Sequence, residues 1–233
     1  MSRRLWSSGA ILGTVVAMVA VVGSTSRNAA LSGMPAMTIT PDTSAELESV
    51  VFAGGCFWGV QAVFQHVKGV EVATSGYAGG SAATATYPQT STGRTGHAES
   101  VRVVYDPARV SFEQLLEVFF TVAHDPTQLN RQGPDVGPQY RSAVWTTGPE
   151  QADAVRAYVE KLDRSGEYAR PVVTKIAPLQ GFYSAEEYHQ NYLIRHPNSP
   201  YIRIHDMPKL DALRDEFPKL WRDQTAPWET ASS

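Results

Sequence analysis

The chain has 233 residues, of which 42% are hydrophobic and 18% charged, with a formal net charge of −3. That length bounds it to one sizeable core or at most two small ones, and the mild acidity argues against nucleic acid or an acidic surface as the main partner. A single cysteine, Cys56, excludes an intrachain disulfide and any multi-cysteine metal cluster.

Arg3 and Arg4 precede an uncharged stretch, Ala10 to Val22, followed by Gly23, Ser24 and Thr25. This is a basic n-region before an h-region, so residues 1–30 are expected to form a signal peptide or a membrane anchor. Asn28-Ala29-Ala30 offers an imperfect cleavage site, and Arg3-Arg4 a faint twin-arginine signal. The expected location is exported, periplasmic or membrane-anchored, with a cytoplasmic form as the alternative. Residues 31–47, small, polar and proline-containing, read as a linker. Residues 48–222 are expected to form the folded domain, and 223–233 a C-terminal tail.

The folded part opens on Val50-Val51-Phe52-Ala53, a buried strand. Gly54-Gly55-Cys56-Phe57-Trp58-Gly59 follows, and Phe57, Val60, Val63, Phe64 and Val67 recur at helical spacing. Cys56 therefore belongs on a tight strand-to-helix turn. First-turn N–H groups and the helix dipole there favour its thiolate, the reactive form. An inert core cysteine is the competing reading. It does not call for glycines before the thiol and two aromatics after it.

Val70, Val72 and Thr74 alternate as a second strand, and a Gly-, Ser- and Thr-rich loop runs on through Gly96. Glu99 to Tyr105 is a third strand, with Val101, Val103 and Tyr105 on one face. Ser111, with Gln114 at the capping-box position, starts a helix whose stripe is Phe112, Leu115, Leu116 and Phe119. After a second long loop, Ser142 to Thr147 reads as a fourth strand. Pro149 opens a third helix, burying Ala152, Val155, Tyr158, Val159 and Leu162. Val172 to Ile176 is a fifth strand. Ser184 with Glu187 forms another capping box, starting a short helix to about Arg195, and Lys209 to Leu220 is a tail helix. Trp221 and Trp228 are expected to pack. The first six elements, β-α-β-β-α-β, predict an α+β fold: a two-layer mixed sheet with helices on one face, a ferredoxin-like core and C-terminal extensions.

Two chemistries are open to Cys56. A hydrolase or acyltransferase needs an imidazole beside the sulfur. His97 is a candidate, but nothing singles out one of the six histidines. Their scatter, with His189 and His196 seven apart, predicts no metal site. A thiolate can instead attack an oxidised sulfur. The oxygen must then gain protons, which calls for a carboxylic acid kept neutral by apolar surroundings. Glu99 suits that role. Phe57 and Trp58 would wall an S-methyl pocket, and Tyr87 and Tyr140 would donate to the oxygen. Asp135 lies in a loop dense in hydrogen-bonding side chains. Taken singly, packing or a solvated loop position explains each of these residues equally well.

The sequence also resembles a known family. Gly-Cys-Phe-Trp-Gly at 55–59, Gly-Tyr-Ala-Gly-Gly at 76–80, Thr-Gly-His-Ala-Glu at 95–99, Asp135-Val136-Gly137, Gln-Tyr-Arg-Ser at 139–142 and Ala-Glu-Glu-Tyr-His-Gln at 185–190 stand in the order of the A-class peptide methionine sulfoxide reductases. The resemblance runs from about Val50 to Leu220. It implies that Cys56 attacks the sulfoxide sulfur, that Glu99 gives a proton to the oxygen, and that Tyr87 and Tyr140 hydrogen-bond to it. It further implies that Phe57 and Trp58 hold the methyl group and that Asp135 orients the site. The implied substrate is the S epimer, free or in oxidised proteins, leaving methionine and a sulfenic acid on Cys56. Many relatives carry resolving cysteines in the C-terminal tail, and some another in the loop before Gly-His-Ala-Glu; here that loop has Ser91, and Cys56 stands alone. An external thiol, thioredoxin-like or of low molecular weight, is the expected reductant. No bound cofactor, metal or nucleic acid is expected, and the protein is expected to be a monomer.

Overall fold

In a computed structural model the structure describes residues 46–229. The expected signal or anchor segment and most of the expected linker lie outside them. The apolar run after Glu48 becomes β1 (Glu48–Gly54), with Val50 to Ala53 fully buried. The turn at Gly55 and Cys56 leads into α1 (Phe57–Gln65). β2 (Val70–Ala78) is longer than its alternating start indicates, because it runs on through the glycine-containing segment. The first long loop holds one short helix, α2 (Tyr87–Thr90), and then β3 (Ala98–Tyr105).

α3 (Phe112–Val118) begins with the expected capping box. Ser111 Oγ accepts from the Gln114 N–H, and Gln114 Oε1 from the Ser111 N–H. Such a cap contributes about 1 kcal/mol. The second long loop folds into a small hairpin, β4 (Arg131–Gln132) with β5 (Asp135–Val136), before β6 (Ser142–Thr146). α4 (Pro149–Ser165) starts on Pro149 and carries the chain over to β7 (Lys175–Pro178). β8 (Phe182–Ser184), α5 (Tyr192–Arg195) and α6 (Met207–Glu216) complete the chain.

The six-stranded sheet has the order β7-β6-β1-β3-β2-β8. Its four central strands, β6, β1, β3 and β2, pair antiparallel with one another. β1 and β2 are therefore parallel with β3 between them, and α1 makes the crossover: the split βαβ of the expected ferredoxin-like core. β7 extends the sheet parallel to β6, and β8 pairs antiparallel with β2. The main core lies between one face and the helices. There Phe52 stacks between Phe64 and Phe119, with centroids 4.9 and 4.5 Å away. The other face has a small cluster of alanines, Val51 and Trp145.

Several C-terminal boundaries differ from expectation. The fifth strand lies at Lys175–Pro178 because it registers parallel with β6, Ala143 opposite Lys175. Ser184 ends β8 and caps no helix. Its expected partner Glu187 opens a single 3₁₀ turn, and α5 begins only after Asn191, at φ 54°. The tail helix ends at Glu216 and follows a π turn, Ile202–Asp206. Trp221 packs as expected, stacked on His66. Among the described residues no helix is long and apolar enough to cross a membrane.

Candidate active site

β1 and β2 end, and β3 and β6 begin, at the same edge of the sheet. The turn after β1 needs Gly55 at φ 91°, a left-handed region that costs an ordinary side chain about 1–3 kcal/mol. A Cβ at Gly55 would also lie 2.5 Å from Gln132 Cβ. Gln132 belongs to the β4–β5 hairpin and is tied to the Asp125 backbone through both ends of its amide. The bare glycine thus lets the hairpin close over the turn that carries Cys56.

Cys56 is the N-cap residue of α1 and lines a cavity of about 210 Å³ with Phe57, Trp58, Tyr87, Glu99, Asp135, Tyr140 and Tyr201. All seven residues singled out from the sequence meet there, drawn from positions 56 to 140. Cys56 is 8% exposed and lines this opening.

Glu99 shares a face of β3 with Val101, Val103 and Tyr105 by the strand's period of two. It therefore points into the helix-covered layer, at the layer's edge, and is 3% exposed. The Phe57 N–H, an orphan donor of the helix start, donates to its Oε2 at 3.1 Å. Burial pushes the Glu99 carboxyl up to about 8; the Phe57 N–H works against this and Asp135 adds to it. The acid is therefore neutral through most of the physiological range.

The expectation of a resting thiolate is corrected. Burial, followed by Glu99 and Asp206, raises the Cys56 thiol well above its ordinary range. The Trp58 backbone N–H and the Lys209 ammonium oppose this and are outweighed. The helix start does supply N–H groups, but desolvation at the bottom of a small cavity is the larger effect.

The aromatic wall is fixed from behind. Trp58 stacks on Tyr192 at 3.7 Å, meets Tyr201 edge-on, and donates its indole N–H to His189 Nδ1 at 3.1 Å. Indole nitrogen only donates, so the His189 ring proton belongs on Nε2. Phe57 and Tyr87 pack against the same imidazole. Glu186 accepts from the Tyr77 hydroxyl at 2.8 Å and from the Tyr87 N–H at 2.9 Å, anchoring the start of α2. Gln190 and Gln61 hydrogen-bond to each other and to the Ala73 and Ser75 backbone, pinning this C-terminal segment to α1 and β2.

Tyr87 and Tyr140 are both half-buried, and burial, then the Glu99 charge, raises both phenols. They are proton-bearing donors at any ordinary pH. Asp135, on β5, accepts from the Tyr201 hydroxyl. Tyr201 was not foreseen; it lies between Pro200 and the π turn, eight residues before the predicted tail helix, and carries no local signal. Asp206, Glu186 and His189 were likewise given no role, although the last two belong to the quoted 185–190 motif.

No histidine lines the cavity. His97 bonds through Nε2 to the Ser81 carbonyl at 3.0 Å and packs beside Tyr77 and Tyr183. The cysteine hydrolase alternative therefore lacks its base. Among the described residues no group of three or more His, Cys, Asp or Glu side chains is placed to hold a metal ion.

Comparison with known proteins agrees with this chemistry. The family model of the peptide methionine sulfoxide reductases matches residues 48–221. The peptide methionine sulfoxide reductase MsrA 2 of Mesorhizobium japonicum is 51% identical over 177 residues, 76% of this chain and 91% of the relative. That of Synechocystis is 48% identical over 185 residues, 78% of this chain and 86% of the relative. Among solved structures, methionine sulfoxide reductase A of Corynebacterium diphtheriae superposes with a TM-score of 0.58 at 42% identity, covering 65% of this chain and 76% of that one. Reduced Mxr1 of Saccharomyces cerevisiae gives 0.61 at 30%, covering 67% and 89%. A thiol facing a neutral buried acid is what removing oxygen from a thioether requires, and by sequence and by fold the chain belongs to the peptide methionine sulfoxide reductases, enzymes that return oxidised methionine to methionine and so repair proteins.

Proposed function

We propose that the chain reduces the S epimer of methionine sulfoxide, free or in proteins, with Cys56 as nucleophile and Glu99 as proton donor. The observation that carries this is the neutral Glu99 carboxyl held by the Phe57 N–H at the helix start that bears Cys56. At neutral pH the resting site stores one proton on sulfur and one on Glu99. Those are the two protons an oxygen needs to leave as water. Cys56 Sγ attacks the sulfoxide sulfur while the oxygen takes both protons, steadied by Tyr87 and Tyr140. Water leaves, and a sulfonium joined to Cys56 remains. A second water attacks Sγ, releasing methionine, leaving Cys56 as a sulfenic acid, and returning a proton to Glu99. Phe57 and Trp58 receive the S-methyl group, since sulfur–ring contacts are favourable. Asp135, bonded to Tyr201, holds the outer wall.

With one cysteine in the sequence, the sulfenic acid is reduced from outside. Two equivalents of thiol, or one dithiol of a thioredoxin-like protein, return Cys56 to thiol and release water and a disulfide. The exported or membrane-linked location is proposed on Arg3-Arg4 and the uncharged stretch Ala10 to Val22. N-terminal sequencing of the mature protein checks it, and a retained Met1 would remove the cleavage reading.

The reaction is tested by single turnover of reduced protein with each epimer. One methionine per Cys56 forms from the S epimer without added thiol, and continued turnover needs a dithiol. Cys56→Ser is inactive. Repeated turnover without external thiol, or activity in Cys56→Ser, overturns the proposal.

A further inference from the structure

One buried charge pair lies against the helix of the nucleophile and takes no part in the steps above. Asp206 closes the π turn and is 0% exposed. Its Oδ1 accepts from Lys209 Nζ at 3.1 Å, and its Oδ2 has no hydrogen-bond partner. The carboxylate fills the space that a side chain at Gly59 would occupy, and Lys209 Nζ lies 2.9 Å from that same position. Gly59 follows Cys56 by three residues in the first turn of α1, so both sit on one side of the helix. The absent side chain admits two opposite charges to within a turn of the thiol.

We propose that Asp206 and Lys209 are a positioning couple for Cys56: seated in the gap left by Gly59, they set how readily the thiol releases its proton. Asp206 holds the proton on and Lys209 draws it off. The other ionisable groups facing Cys56 are Glu99 from β3, Tyr87 from α2, Asp135 from β5, Tyr140, and Tyr201 beside the π turn. His205 and Asp135 also face Asp206. Among these Lys209 is the cation that answers the carboxylates around the thiol. A thiol kept protonated until substrate arrives also resists stray oxidation, to which thiolates are prone.

The proposal rests on Cys56 as the attacking group, but its test contains no sulfoxide, so the two can fail separately. The rate at which iodoacetamide alkylates the single cysteine is followed by intact mass in short pulses from about pH 7 to about pH 12, a window that reaches past the raised thiol. The midpoint is the readout, because access changes only the plateau. Asp206→Asn is expected to lower the midpoint by about one pH unit, and Lys209→Met to raise it by about as much. The double variant returns to within about 0.3 unit of the parent. A merely structural role would lower the melting temperature and leave the midpoint in place. An Asp206→Asn midpoint that is unchanged or raised overturns the couple. Should Lys209→Met fail to fold, the Asp206→Asn midpoint alone decides.

Discussion

The two walls of the cavity are built differently. One wall belongs to the sheet and its first helix: Cys56, Phe57 and Trp58 on α1, Glu99 on β3. Its backbone is held in the six-stranded ladder, and Cys56, Phe57 and Glu99 are buried. The other wall is made of short pieces: Tyr87 on a one-turn helix, Asp135 on a two-residue strand, Tyr140 on a 3₁₀ turn, and Tyr201 before a π turn. Its side chains are half-buried and reach the cavity from three separate loops. The buried wall can shift proton affinities, because desolvation acts there at full strength. The loop wall orients, and water can replace part of what it does.

That contrast predicts unequal losses. Glu99→Gln removes the stored proton while keeping shape and the Phe57 hydrogen bond, and should cut the single-turnover rate by about 10²–10⁴-fold. A rate within a factor of about three of the parent would move the acid elsewhere. The same residue should leave a mark on stability. Its folded value is about 8 against an ordinary 4.5. Between those limits the unfolded chain has released the proton and the folded chain has kept it, so this group's contribution falls as pH rises. Urea melts at either end of that window should show a steeper decline for the parent than for Glu99→Gln.

The junction between the walls comes next. Gly55→Ala places a Cβ against Gln132 at a positive φ, and should cost about 1–3 kcal/mol in a thermal or urea melt. It should also lower activity by opening the hairpin that carries Asp135. The loop wall should yield the smallest single effects. Tyr87→Phe and Tyr140→Phe should each slow the single turnover by about ten-fold. The double variant should lose more than the product, since each phenol partly covers for the other. Equal losses for Tyr140→Phe and Glu99→Gln would erase the distinction between the walls.

How much was legible follows the same division. The central strands and α1 were visible because their apolar residues recur at periods of two and 3.6, and those periods are fixed by backbone geometry. Cys56 and Glu99 were visible for the same reason: one follows glycines at the end of a strand, the other continues the inward face of a strand. Tyr87, Asp135 and Tyr140 were named from their residue types and became specific only with the motif resemblance, because loops have no period. Tyr201 and Asp206 were missed. Their placement depends on a π turn and on a hole at Gly59, and neither feature leaves a pattern in the residues themselves.

The amino-acid order by itself determined the split βαβ core, the solitary thiol at a helix start, the acid on the neighbouring strand and the family. Only the tertiary structure decided the protonation state of Cys56. By local reasoning the helix start favours a thiolate; in the folded protein burial, Glu99 and Asp206 outweigh it and keep the proton on sulfur. Local sequence sets dipoles and periodicity, whereas desolvation and through-space charge depend on which distant segments close over a site, and that is known only once the chain has packed.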